Sequence, residues 1–207
     1  MIKVISFDLD KTLITGDFDN KIWNEELPKH YSKEKNISFE EAKEFCFSKY
    51  EEHKGNDQWT SLPFWFNMFG LKDWESLLIK NEHLIILDKD AEPILKELKG
   101  KYKLILVTQN DIEFLNIKLK KIRHYFDEIF SSTHHYKKLK KDALVYNDII
   151  KKLNIKANEM IHVGDDFEFD YEAPKSIGIN AILLDPENEH NEKGSIKNLK
   201  EILDMIK

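Results

Sequence analysis

The sequence predicts an α/β fold, a doubly wound parallel sheet with a small all-helical domain inserted after its first strand. Three observations carry this expectation. Five short runs rich in Ile, Val, Leu or Phe recur along the 207 residues; helical stretches separate the later ones; and residues 17–87 hold 13 of the chain's 24 aromatic side chains without a convincing strand. Strands alternating with helices require crossover connections, which give a parallel sheet covered on both faces.

The strand candidates are residues 3–7, 104–107, 128–131, 160–163 and 181–184, each of a length suited to burial on both faces. Asp90 can cap a helix running through Ile94, Leu95 and Leu98 to Gly100, and Asp111 one carrying Ile112, Leu115, Leu119 and Ile122. Asp142 opens a third with Leu144, Ile149, Ile150 and Leu153. A fourth carries Ala173 and Ile177 before Gly178, and Ser195 begins a terminal helix with Leu199, Ile202 and Ile206. Within the aromatic segment, Ser38-Phe39-Glu40-Glu41 reads as a capping box that leads into Ala42, Phe45, Cys46 and Tyr50 on one helix face. Its four Trp (Trp23, Trp59, Trp65, Trp74) suggest a separate small core. The expected organisation is therefore an α/β core of residues 1–16 and 88–207 with a helical insert of residues 17–87.

Composition narrows the function. There are 38 acidic and 32 basic residues, and the only arginine is Arg123. A chain with so few guanidinium groups is poorly equipped for forked contacts to guanine or phosphate, so a nucleic-acid partner is not expected. The single cysteine, Cys46, excludes a disulfide framework and a multi-thiolate zinc site, and is expected to pack as a small apolar residue. The N-terminal apolar run ends at Asp8, too soon for a signal peptide, and no run approaches a membrane span. These features predict a cytoplasmic protein without a membrane partner.

Chemistry gathers at the predicted strand ends. Asp8-Leu9-Asp10-Lys11-Thr12 follows the first strand, at the sheet edge where open α/β folds bind ligands. Val107-Thr108-Gln109-Asn110 closes the second, offering a hydroxyl and a helix start suited to a phosphate oxygen, although Thr108 or Asn110 could equally be an ordinary cap. Val163-Gly164-Asp165-Asp166 closes the fourth, with Asp170 beyond. Like charges so placed need a cation, and hard carboxylate oxygens select Mg²⁺. The cluster Lys137, Lys138, Lys140 and Lys141 can deliver one ammonium. His134-His135 lacks a partner at ligand spacing and is read as structural.

In this order the segments resemble the haloacid dehalogenase superfamily of hydrolases, whose motifs are an Asp-x-Asp-x-Thr, a Ser or Thr, a downstream Lys, and a Gly-Asp followed by a further Asp. The resemblance covers residues 1–15 and roughly 88–185, including Tyr125 to Ser131 and His162 to Asp165; the insert resembles a subfamily I helical cap by position alone. It implies that Asp8 is the nucleophile, forming an aspartyl-phosphate, and Asp10 the general acid and base. It also implies that Mg²⁺ is held by Asp8, the Asp10 carbonyl and Asp165, and that Thr108 and Gln109 bind phosphate with Lys140. In the family a proline usually follows the lysine; here Lys141 fills that place, so Lys138 and Lys141 remain alternatives. Asp166 is either a water-mediated metal partner or a helix cap, and Asp170 either an outer partner of the metal or a structural hydrogen-bonding group. Dehalogenases lack the second acid because halide leaves without a proton, so Asp10 points to a phosphate ester.

The expected activity is therefore a Mg²⁺-dependent phosphatase acting on a small phosphorylated metabolite. A phosphomutase, or a catalytically silent module of the same fold, is the alternative; the sequence does not fix the oligomeric state.

Overall fold

The computed structural model describes residues 1–139, 141–190 and 192–206. Strands β1 (Val4–Phe7), β2 (Lys103–Thr108), β3 (Glu128–Ser131), β4 (Met160–Gly164) and β5 (Asn180–Leu183) form one sheet in the order β3-β2-β1-β4-β5. Every pairing is parallel. The α/β class and the five strands are as expected, with ends shifted by at most one residue.

The helices follow in chain order as α1 (Asp17–Lys21), α2 (Leu27–Lys35), α3 (Phe39–Glu52), α4 (Leu62–Phe69), α5 (Trp74–Asn81), α6 (Ala91–Leu98), α7 (Ile112–Lys118), α8 (Ser132–Tyr136), α9 (Ala143–Leu153), α10 (Ala173–Ser176) and α11 (Ile202–Met205). Two wide π-helical turns join them: Ile22–Glu26 bridges α1 to α2, and Phe167–Glu172 leads into α10. The capping box forms: Ser38 Oγ accepts from the Glu41 amide at 3.2 Å and Glu41 accepts from the Ser38 amide at 2.9 Å. Asp111 and Asp142 cap α7 and α9. Asp90 does not cap α6; its carboxylate pairs with Lys200 at 3.0 Å instead. The terminal helix also begins later than Ser195, because Ile196 bridges to Leu184 and extends the chain first.

Period-2 alternation sends successive strand side chains to opposite faces. Ile5, Phe7, Leu104 and Leu106 face one apolar cluster; Val4, Ile105, Val107 and Met160 face the other, under Val145, Tyr146 and Ile149 of α9. Each such fully buried aliphatic side chain contributes about 1.5–3 kcal/mol.

The aromatic segment does not keep a separate core. Phe18, Ile22, Leu27, Cys46, Trp65 and Phe66 belong to the same continuous cluster as Leu9, Leu13 and Leu115. The reason is Phe114 of α7, which packs edge-on against Phe18 at 6.1 Å and stacks on Trp23 at 5.6 Å, joining the two regions. Cys46 is buried there, and burial pushes its thiol up to about 12, so it acts as a small apolar residue. Among the described residues, no helix is long and apolar enough to cross a membrane.

Candidate active site

Parallel register brings the decisive residues together. β1 lies between β2 and β4, with Phe7 opposite both Leu106 and Val163, so the C-terminal ends of the three strands open onto one crevice. The strand order reverses between β1 and β4, the switch point at which such sheets bind ligands. Asp8, Asp10, Thr108, Gln109, Asp165, Asp166 and Asp170 all border one cavity of about 230 Å³ there. Residues from opposite ends of the chain thus meet because the sheet is parallel and its connections all return to the same edge.

Asp8, Asp165 and Asp170 each offer an oxygen within 4.8 Å of the others. Among the described residues one buried ammonium, that of Lys141, answers them, contacting both Asp8 and Asp170. Lys140, the residue expected to enter the site, lies outside the described residues. Lys141 is positioned directly by the next residue, since Asp142 accepts from the Leu144 and Val145 amides at 3.0 Å and fixes the start of α9. Burial lowers the Lys141 ammonium, but Asp170 and Asp8 overcome this and hold it above the ordinary lysine range. We expect Lys141→Ala to reduce turnover by about 10²-fold or more. Undiminished turnover of Lys141→Ala in steady-state kinetics would show that the ammonium is wrongly assigned.

Asp170 lies at the centre of a buried hydrogen-bond network. Burial pushes its carboxyl up, while Lys141 and His162 bring it down to about 2. Its oxygens accept from Lys141, from His162 Nε2 at 2.9 Å and from the Asp166 amide at 3.1 Å. His162 in turn meets Ser6 Oγ at 2.8 Å through Nδ1. Tyr146 Oη lies 2.9 Å from His162 Nε2 and donates to the Phe169 carbonyl, also at 2.9 Å. One neutral tautomer, with the proton on Nε2, satisfies all these partners, and burial holds the imidazole below its usual range. Gly164 is required beneath this network, because a Cβ there would lie 2.3 Å from Asp170 Cγ. Asp166 takes the capping alternative, accepting from the Phe169 amide at 2.8 Å.

A second charged cluster escaped the sequence reading. Lys118 of α7 is fully buried, and its Nζ contacts Asp10 Oδ1 at 2.6 Å, Asp19 Oδ2 at 2.6 Å and Asn110 Oδ1 at 2.7 Å. Asn110 Nδ2 donates to the other Asp10 oxygen and to Thr108 Oγ1, the latter at 2.8 Å. Burial raises the Asp10 carboxyl, and Lys118 leads the donors that overcome it and hold it below the usual range. Asp19 shares the ammonium but is pushed up to about 7, first by burial and then by Asp10. Thr108 Oγ1 accepts from Asn110, so its own proton stays available for an anionic oxygen. A signal for Lys118 did exist: it falls on the buried face of α7 beside Phe114 and Leu115, where a lysine without a carboxylate would be costly.

The sequence profile of the haloacid dehalogenase-like hydrolases matches residues 2–178. The chain belongs to that family. Among curated proteins, this hydrolase is 26% identical over 186 residues to the GMP/IMP nucleotidase YrfG of Escherichia coli (strain K12), covering 88% of this chain and 82% of YrfG. Among solved structures, it superposes with a TM-score of 0.86 on a HAD phosphatase from Thermococcus onnurineus, at 24% identity over 99% of this chain and 98% of the other. It also matches a 2-haloacid dehalogenase from Pseudomonas syringae pv. Tomato DC3000 with a TM-score of 0.68, at 19% identity over 100% and 98% of the two chains. At those identities the two structures establish the fold, and the hydrolase's own side chains must distinguish the chemistry.

Proposed function

We propose that this hydrolase is a Mg²⁺-dependent phosphatase that cleaves a small phosphate monoester through an aspartyl-phosphate on Asp8. The observation that carries the reading is the pairing of Asp8 with a second strand-end acid, Asp10, in the same cavity. A leaving alkoxide needs a proton and a leaving halide does not, so Asp10 favours the ester over the dehalogenase chemistry of the Pseudomonas neighbour. The kinship with YrfG, named as a nucleotidase, supports the same choice.

The donor set fits a hard divalent cation. Asp8 is held well above the usual carboxylate range, first by burial, with Asp170 and Asp165 adding to it. Asp165 is pushed up to about 6, again by burial and then by Asp170. Carboxylates so crowded are poised for a cation. Asp8, Asp165 and the Asp10 carbonyl would hold Mg²⁺, which when bound supplies charge neutralisation between the anionic nucleophile and the anionic phosphoryl group. Asp170 has its oxygens engaged by Lys141, His162 and an amide, and serves by holding the ammonium beside Asp8.

In the first half-reaction an Asp8 oxygen attacks phosphorus as the ester oxygen leaves, taking the proton of Asp10. Lys141 and Thr108 bind the phosphoryl oxygens, with Gln109 at the cavity wall. In the second, Asp10 accepts a proton from the water that attacks the aspartyl-phosphate, and Asp8 and inorganic phosphate are released. Asp10 clamped by Lys118 and Asn110 is ionised, the form the second step requires; to donate in the first step it must release a clamp donor and carry a proton, taken from solvent at the outset and thereafter from the water of the preceding second step.

The test is hydrolysis of an aryl phosphate with Mg²⁺ and with a chelator, together with thermal unfolding across pH. Turnover is expected only with Mg²⁺; equal turnover in chelator contradicts the reading. Between about pH 4 and 6 the metal-free folded protein binds more protons at Asp165 than the unfolded chain, so this group costs stability as pH rises through that window. Mg²⁺ binds the ionised form, so its stabilisation should grow over the same window and level off above it. At about 100 times its dissociation constant it should reach about 2.7 kcal/mol, or roughly 5–10 °C in Tm.

A further inference from the structure

The crevice above the catalytic carboxylates leads into an aromatic pocket. A chamber of about 440 Å³ shares Asp10, Lys11, Gln109 and Asn110 with the catalytic cavity. It shares Asp19, Asn20, Trp23, Trp59 and Thr60 with a more enclosed pocket of about 250 Å³, whose lining adds Asn24, Tyr50 and Trp65. The polar handles of three of these rings are turned away onto main chain. Trp59 Nε1 donates to the Tyr50 carbonyl at 2.9 Å, Trp65 Nε1 to the Trp59 carbonyl at 2.8 Å, and Tyr50 Oη to the Trp23 carbonyl at 3.3 Å. What remains for an occupant is ring surface. Trp23 stands on the π-helical turn Ile22–Glu26 and is braced by Phe114 at an interplanar angle of 21°. A π-turn is a costly local geometry that recurs at functional sites.

Apart from Tyr50, the polar side chains of the enclosed pocket are the neutral Asn20, Asn24 and Thr60 and the carboxyl of Asp19, which Lys118 engages. Thr60 Oγ1 is buried without a hydrogen-bond partner, a state that is unfavourable unless an occupant bonds to it. Asn20 borders the pocket beside it, and among the described residues no lysine or arginine does. A leaving group bearing a carboxylate or a second phosphate would find no cation there, and a polyol would meet largely apolar walls. A flat ring with hydrogen-bonding edges satisfies both surfaces.

We propose that this pocket receives the heteroaromatic ring of the substrate, with Trp23 and Trp59 flanking it and Thr60 bonding its edge, which makes the substrate class nucleoside monophosphates. The inference rests on the phosphatase reading for the phosphate end, and on the pocket alone for the ring.

The experiment compares kcat/KM for adenosine, guanosine and uridine 5′-monophosphates with glycerol 3-phosphate and phosphoglycolate. It does so in the wild type, Trp59→Leu, Trp59→Phe and Thr60→Val, with guanosine binding measured by titration calorimetry in each. Nucleotides should be preferred by at least about 10-fold; Trp59→Leu should lower that preference, and guanosine affinity, by about 10-fold or more, with partial rescue in Trp59→Phe. Thr60→Val breaks no intramolecular hydrogen bond among the described residues, so a lowered preference in that variant cannot be ascribed to unfolding. Ester hydrolysis without nucleotide preference and without guanosine binding overturns the inference and leaves the phosphatase standing. Saturable guanosine binding that Trp59→Leu weakens, with no ester hydrolysed, upholds the pocket and overturns the phosphatase.

Discussion

Replacing Asp8 by Asn should lower kcat by on the order of 10⁴-fold or more while leaving the hydrolase folded, because the amide removes the nucleophile without changing the shape of the strand end. The environment makes the stability side of this prediction unusual. Asp8 is a buried carboxylate among Asp10, Asp165 and Asp170, and burial already works against its charge. Lys141 keeps a partner in Asp170 when Asp8 is neutralised. The metal-free variant should therefore unfold at the same temperature as the wild type or higher, while the Mg²⁺-induced rise in Tm shrinks. Calorimetric scans with and without Mg²⁺, set beside single-turnover kinetics, give both readouts. If Asp8→Asn retains more than about a hundredth of wild-type turnover, the phosphoryl group does not pass through this carboxylate.

The second large effect belongs to Lys118. Lys118→Met keeps an apolar side chain of similar length, but removes the ammonium from over the Phe114 ring and leaves Asp10 and Asp19 facing each other without it. Removing one partner from a buried ion cluster costs about 3–5 kcal/mol. Both carboxylates keep some contact with water, which places the expected loss at the lower end of that range. The urea midpoint should fall accordingly. Catalysis should fall as well, by about 10²-fold in kcat, because Asp10 loses a donor that fixes its orientation toward the leaving oxygen. Adding Asp19→Asn to Lys118→Met should restore part of the stability by removing one of the two opposed charges. A cycle in which the two substitutions are simply additive would mean that the ammonium and Asp19 do not act together.

Legibility in the sequence follows from where each structural decision is made along the chain. The strands were legible because runs such as residues 104–107 and 160–163 are almost wholly apolar, a pattern suited to burial on both faces. Asp111 and Asp142 were legible as caps because their partners are amides one to three residues away. Ser195 and Asp90 misled for the complementary reason: their surroundings are decided by distant segments, Leu184 pairing with Ile196 and Lys200 reaching Asp90. The aromatic segment looked self-contained from its composition, yet Phe114, far along the chain, ties it into the core beneath the sheet.

The site divides in the same way. Asp8, Asp10, Thr108 and Asp165 sit at strand ends, and strand order alone carries them to one edge. That Lys141 reaches Asp8 could not be found by counting, because the direction of its side chain is set by the start of α9. The partnerships of Lys118, Asn110 and His162 were not legible because they span up to 156 residues. What the sequence by itself determined was the fold class, the parallel strands and the carboxylates gathered at one edge of the sheet, all of which follow from periodicity and from position at a strand end. Only the tertiary structure decided which lysines reach those carboxylates and which rings wall the pocket beyond them, because burying a charge or turning an indole face toward a cavity depends on neighbours that folding alone supplies.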